Sequence, residues 1–287
     1  MWIADKWRDI EVIDCSRGEK LERWGDRILV RPDPQVIWQG ERHHPGWHSY
    51  DGRYLRSNTG GGKWERRKLP DKWQLRYGDL TFQVGPMNFK HMGLFPEQAA
   101  NWDFIQERIK ASKREISVLN LFAYTGGATV AALAAGARVC HVDAARGMVS
   151  WARENVELSG LSDRPVRWIV DDCLKFVQRE IRRGRRYDGI IMDPPSYGRG
   201  PTGEVWKLEE NLYPFVELVS QVLSEEASFV VINAYTTGLS PGVLTYISED
   251  IFGRRFGGKT ESRELGIPVT ESGFLLPCGA TCRWQRG

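Results

Sequence analysis

The chain has 287 residues, enough for one or two domains with a buried core. Its 41% hydrophobic and 27% charged residues sit at the globular average, which excludes wholesale disorder, collagen-like repetition and a membrane-embedded body. Basic side chains exceed acidic ones by only three, so bulk charge makes no case for a polyanionic partner. The five cysteines show no disulfide framework, no apolar run approaches a membrane span, and the start lacks a signal region. A reduced, cytoplasmic protein is expected. Tryptophan departs from the average: eight of the 12 (Trp2, Trp7, Trp24, Trp38, Trp47, Trp64, Trp73, Trp102) fall in the first 102 residues.

Up to about Tyr77, turn residues (Arg31-Pro-Asp-Pro, Gly60 to Gly62, Pro70-Asp71) alternate with short runs such as Ile28 to Val30 and Val36 to Trp38. This predicts a small β-rich unit over residues 1–77. A hairpin, Trp73 to Tyr77 and Leu80 to Val84, and a helix over Asn101 to Ile109 then connect it, across 78–110, to a third region, 111–287. There, apolar runs (Val118 to Phe122, Val139 to Val142, Val166 to Val170, Gly189 to Met192, Phe229 to Ile232) alternate with segments of helical period. These are Ala128 to Ala135, Met148 to Leu158, Leu174 to Ile181, Leu208 to Val222 and Val243 to Ile251. Strand and helix in alternation predict an α/β fold with a parallel sheet covered on both faces, closed by two strands within Arg254 to Trp284.

In such a sheet, ligands bind at the carboxyl ends of the strands. Gly126 and Gly127 after the first run permit a sharp turn into a helix whose N–H groups face a ligand, although a plain strand-to-helix turn needs them equally. Asp143 ends the second run, 17 positions after Gly126, near the spacing at which a carboxylate grips ribose hydroxyls. Asp171-Asp172 ends the third, where a carboxylate either meets an adenine amine or caps the next helix. The fourth run ends in Asp193-Pro194-Pro195-Ser196-Tyr197. Two prolines fix φ and remove donors, leaving carbonyl acceptors beside a charged one, with Tyr197 near enough to stack on a base. A strand stopped by proline is the plain alternative.

The stretches His91 to Gln98, Asn120 to Gly126, Val142-Asp143, Trp151 to Asn155 with Gly160-Leu161, and Asp193 to Tyr197 resemble class I S-adenosylmethionine-dependent methyltransferases. Within that class they look like bacterial ribosomal RNA large-subunit base methyltransferases, over roughly Tyr77 to Trp284. The resemblance implies a Rossmann-like fold with a mostly parallel seven-stranded sheet and S-adenosylmethionine as cofactor. It implies that Phe122 and the turn Tyr124, Thr125, Gly126 and Gly127 cradle the methionine part, with Asn120 replacing the usual carboxylate near its ammonium. Asp143 would hold the ribose, Asp172 the adenine, and the segment Lys90 to Gln98, with Phe95, would close over the cofactor. Asp193, Pro194, Pro195 and Tyr197 would form the catalytic turn.

Relatives that methylate C5 of cytosine need a cysteine nucleophile after the fourth or fifth strand. Here those positions read Asp193-Pro-Pro-Ser and Asn233-Ala-Tyr-Thr-Thr, so methylation at nitrogen is expected, with Cys278 the remaining route to C5 chemistry. Cys278 with Cys282, and His43, His44 and His48, lack a four-ligand pattern, so no metal is expected. Between Arg42 and Arg76, nine basic residues face three acidic ones and are interleaved with Trp47, Tyr50, Tyr54, Trp64 and Trp73. That is a recipe for RNA binding, unless the rings are the core of the small unit. The cluster Arg179 to Arg186 reads as a helix C-terminus meeting its dipole. A dinucleotide-dependent oxidoreductase, NAD(P)-dependent, is disfavoured because Gly-x-Gly-x-x-Gly is absent after Asn120. A noncatalytic RNA-binding module is the other alternative.

Overall fold

A computed structural model describes residues 1–57, 61–199, 205–236 and 238–286. Gly60, of the expected glycine turn, and Thr237, of the segment after the fifth apolar run that lacks a cysteine, lie outside them. Contacts divide the chain into a first unit, 1–100 with 265–278, and a second, 101–264 with 279–287.

The first unit carries β1 (Trp2–Ile3), β2 (Ile10–Ser16), β3 (Glu19–Trp24), β4 (Arg27–Pro32), β5 (Gly52–Arg56), β6 (Gly62–Arg66), β7 (Trp73–Tyr77) and β8 (Leu80–Val84). β2 to β6 form a five-stranded sheet in sequence order, and β7 and β8 pair as the expected hairpin. Both hairpin strands therefore belong to the first unit, which corrects the boundary at Tyr77: a hydrogen-bonded ladder does not divide between its strands. Val36 to Trp38 is no strand. Its carbonyls at Val36 and Trp38 accept from Gly18 and Arg17 in the β2–β3 turn, and the Trp38 indole donates to Cys15 O.

The second unit begins in α1 (Ala99–Ala111). There follow β9 (Ser117–Leu121), α2 (Gly127–Ala134), β10 (Arg138–Asp143), α3 (Arg146–Leu158), β11 (Val166–Val170), α4 (Cys173–Arg182), β12 (Gly189–Met192), β13 (Tyr197–Arg199), β14 (Val205–Lys207), α5 (Leu208–Ser220), β15 (Phe229–Ala234), α6 (Pro241–Ser248), α7 (Arg254–Phe256), β16 (Lys259–Pro268) and β17 (Leu275–Gln285). The sheet order is β1-β16-β17-β15-β12-β9-β10-β11. The five central strands are parallel and β17 is antiparallel to β15. Seven strands are as expected; the eighth is two-residue β1, paired with Leu265 and Gly266.

Alternation along the strands explains why both faces are apolar. Leu119, Leu121, Cys140, Val142, Ile190 and Met192 face one core with Phe176 and Val177 of α4 and Phe215, Val216 and Val219 of α5. The alternate register row, Ile191, Asn120, His141 and Trp168, belongs to the opposite face. The strands nearest β9 in the chain lie to one side of it and β12 to the other, so the chain reverses its order between β9 and β12, the position at which open α/β sheets form a ligand crevice at their strand ends.

Candidate active site at the strand ends

β9 leaves the sheet through Phe122 and Tyr124, whose φ values are +55° and +51°. Neither is glycine, so the turn is held in a sparsely populated conformation by its surroundings. The main restraint is Asp143 at the end of β10. Its Oδ2 accepts from Tyr124 N and its Oδ1 from Ala145 N, both at 2.8 Å. Burial raises the Asp143 carboxyl above its usual value, and these two N–H donors pull against that rise. Each oxygen keeps a lone pair after accepting one bond, so the carboxylate holds the turn and retains capacity for hydroxyl donors.

Gly126 is the N-cap of α2, at φ +81°, and as glycine it offers the helix start no side-chain cap of its own. A Cβ on Gly126 would lie 2.8 Å from Ala152 Cβ of α3, and one on Gly127 would lie 2.6 Å from Trp102 Cζ2. The glycine pair thus sets the close approach of α2 to α3 and of α2 to α1, in addition to the turn. Thr125 is buried and its carbonyl accepts from Asn155 Nδ2 at 2.8 Å. Ala152, Asn155 and Trp102, which sequence reasoning left without a role, support the turn from behind.

Asn120 corrects the expectation of a polar group facing the methionine ammonium. Its side chain is 3% exposed and its amide donates to Thr129 Oγ1 (3.0 Å), which lies 2.9 Å from His141 Nδ1. The physical reason is register: Asn120 and His141 are paired on the same sheet face, beneath α2, so the amide is consumed in a buried polar chain. Burial and Arg153 lower the His141 pKa to about 3, so the ring is neutral.

Asp172 is the N-cap of α4, its Oδ1 accepting from Lys175 N at 2.9 Å, and it is exposed. Asp171 pairs with Arg179 and accepts from Asp172 N. Phe122 packs its ring on Trp206 and Phe215, and its N–H meets Cys173 Sγ at 3.3 Å. Phe95 belongs to the first unit, where its ring lies 5.3 Å from that of His91.

After β12 the chain runs through Asp193, buried Pro194, and exposed Pro195 and Ser196 to Tyr197, 53% exposed. Two contacts with no sequence signal pin this turn. Trp206 Nε1 donates to Pro195 O at 2.6 Å, and Thr236 Oγ1 donates to Ser196 Oγ at 2.8 Å. The Trp206 ring, stacked edge-on against Phe215, carries β14 onto the turn. The Pro195 carbonyl is thereby engaged by the protein itself.

A model of S-adenosylmethionine-dependent methyltransferases matches residues 41–219, more than half of the chain. The methyltransferase of that class from Agrobacterium tumefaciens is 36% identical, covers 99% of this chain and 93% of its own, and superposes with a TM-score of 0.92. The chain belongs to the S-adenosylmethionine-dependent methyltransferase family. A Streptococcus mutans methyltransferase, 18% identical over 97% of this chain and 76% of its own, shares the fold with a TM-score of 0.73. Among curated relatives, the methyltransferase is 28% identical over 62% of its length to ribosomal RNA large subunit methyltransferase K/L of Cellvibrio japonicus. It is 42% identical over 31% to ribosomal RNA large subunit methyltransferase I of Klebsiella pneumoniae. It spans less than a quarter of the length of either. Its cofactor is S-adenosylmethionine, and the strand-end set fits that group: acceptors at Asp143 and Asp172 suit a nucleoside's hydroxyls and amine, beside an uncapped helix start.

Of the two readings open for the stretch Arg42 to Arg76, its rings favour that of a core. Trp47 is 5% exposed, its indole donates to Asp14 and Arg42 covers its face. Trp64 donates to Met87 O and Phe89 O, Trp73 to Trp24 O, and Tyr50 and Tyr54 are buried. Arg42 and Arg53 pair with Glu19, Arg66 with Asp71 and Arg67 with Glu65. Trp47, Tyr50 and Tyr54 are thus buried in the small unit, Trp64 and Trp73 are half-buried with their indoles engaged, and four of the nine cations pair with carboxylates of the same unit. Among the described residues, no helix is long and apolar enough to cross a membrane.

Proposed function

We propose that this methyltransferase modifies a nucleobase nitrogen of RNA, with ribosomal RNA as the acceptor. The observation that carries the reading is the Asp193-Pro194-Pro195 turn beside the β9 crevice, fixed by Trp206 and offering acceptors to an N–H-bearing base. S-adenosylmethionine supplies an electrophilic methyl group. The Asp193 carboxylate and the Pro194 carbonyl accept the amine's N–H groups and so aim its lone pair, Pro195 O being held by Trp206. Tyr197 offers an exposed ring to the base. Phe122 and the Tyr124 to Gly127 turn hold the methionine part, Asp143 the ribose and Asp172 the adenine.

Nitrogen is favoured over C5 because no cysteine lies in the turn directly after β12 or β15, and Cys173, behind the turn, is 3% exposed with its thiol raised by burial. The Cys278 thiol is likewise pushed up by burial and by Glu97. The relatives' names, which concern ribosomal RNA, support the acceptor class. The test is mass spectrometry of nucleosides from cells with and without the gene. One N-methylated nucleoside should disappear; an unchanged RNA profile would refute RNA as acceptor, and a lost C5-methylcytidine would refute nitrogen. Cys278→Ala should transfer methyl groups at the wild-type rate.

A further inference from the structure

A cavity of about 850 Å³ lies at the amino ends of the strands, reaching Ser117, Arg138 and Val166, the starts of β9, β10 and β11. Strands of five or six residues at about 3.3 Å each put it roughly 17–20 Å from the crevice that Asp143 borders. It is not part of the methyl-transfer site. Five arginines line it, Arg138, Arg167, Arg183, Arg185 and Arg186, against two glutamates, Glu115 and Glu180.

The glutamates cancel only part of that charge, leaving three more cations than anions. Glu180 is fully buried and committed: Arg167 reaches it with two bonds (2.8 and 3.2 Å), Arg183 with one (3.1 Å) and Tyr187 Oη with one (2.6 Å). Burial would raise this carboxyl, but its donors outweigh burial and keep it ionised. The result is a pair of guanidinium groups held in place by one buried anion, with Arg167 also over the Phe176 ring. Glu115 is exposed and lies 3.4 Å from Arg138.

Arg185 and Arg186 follow Gly184, at φ +65°, in the turn that ends α4. Gly184 N–H donates to Ile181 O, and Arg185 N–H to Glu180 O. Among the described residues, neither arginine has an acidic partner, and Arg186 donates only to a backbone carbonyl, Arg185 O. The helix dipole accounts for cations within the last turn, such as Arg179 and Arg182, but not for two beyond it or for two on strands. All five lining cations are arginine and none is lysine, which favours planar, forked recognition of an oxyanion.

We propose that this cavity binds the phosphate groups of a ribonucleotide. Two sources share that chemistry, a phosphodiester strand and a free nucleotide; the first rests on the RNA reading above. The experiment compares the intact wild-type protein with Arg185→Ala/Arg186→Ala and, on a different element, Arg138→Ala. Binding of a fluorescent ten-nucleotide single-stranded RNA is read by anisotropy across salt, and binding of uridine 5′-diphosphate by calorimetry. S-adenosylhomocysteine binding, at the opposite strand ends, reports the fold. The double variant should lose about tenfold in affinity for the bound probe, and its log–log salt slope for RNA should fall by about 1.4. Displacement of the RNA by uridine 5′-diphosphate identifies a nucleotide pocket; RNA binding without displacement identifies a phosphodiester contact. The proposal is overturned if the wild type binds neither probe, or if both variants bind as the wild type does. The RNA-methylation reading fails separately, when intact RNA binding at the cavity accompanies no methylated nucleoside.

Discussion

Gly126→Ala tests the account of the β9–α2 turn most directly. The new Cβ would stand 2.8 Å from Ala152 Cβ, an atom fixed to the α3 backbone that no rotamer change can move, and it would have to adopt φ near +81°. The left-handed conformation costs alanine about 1–2 kcal/mol, and overpacking typically adds about 1–3 kcal/mol. Together these predict a loss of roughly 2–5 kcal/mol, which in a domain this size is a midpoint lowered by about 4–20 °C in a calorimetric scan. Binding of S-adenosylhomocysteine should weaken with it, because Asp143 grips the same turn at Tyr124. Adding Ala152→Gly removes the steric contact and leaves φ unchanged, so the double variant should recover the packing share and not the conformational share. A single variant that melts within a degree of the wild type, or a pair with no coupling, would refute the reasoning.

Asp143→Asn replaces one of two acceptors with an amide NH2, a donor that faces a backbone N–H. Losing a charge-assisted bond of about 1.5–3 kcal/mol should weaken S-adenosylhomocysteine roughly 10- to 150-fold by calorimetry, and an affinity within threefold would remove Asp143 from the site. Trp206→Phe keeps a ring beside Phe122 and Phe215 but deletes the bond to Pro195 O. At about 1 kcal/mol it should lower kcat roughly fivefold with cofactor affinity unchanged, whereas an unaltered kcat would show that the turn needs no such restraint. In the first unit, burial would raise the Glu22 carboxyl, but Arg31 at 2.6 Å and Lys20 at 3.4 Å outweigh it and hold it at about 2. A depressed carboxyl contributes stability that is whole above its unfolded value near 4.5 and is lost as pH falls toward 2. Near-UV circular dichroism should follow that window, and an onset above pH 6 would assign the loss to another group.

Much of the second unit was legible in the sequence because its signals are local. Apolar runs of four to six residues, helical spacing and turn residues are set by neighbours in the chain. The strands from β9 to β12 and the helices α2 to α5 therefore lie within a few residues of where periodicity puts them. The strand-end residues Asp143, Asp172 and Asp193 could be singled out for the same reason, since each follows its own apolar run. Contacts remote in sequence were not legible. Nothing near Pro195 announces that Trp206 will hold its carbonyl. The polarity of Asn120 gives no hint that it is spent on Thr129 beneath α2, and the basic, aromatic stretch after Arg42 reads alike whether its rings face solvent or a core. Arg183, Arg185 and Arg186 likewise read as a helix end until folding sets them beside Arg138 and Arg167. By itself the sequence determined the order of elements and the chemistry at each strand end. The tertiary structure decided which polar groups are consumed inside the protein and which are left to a ligand, because a hydrogen bond depends on distance in space and the chain specifies only distance along itself.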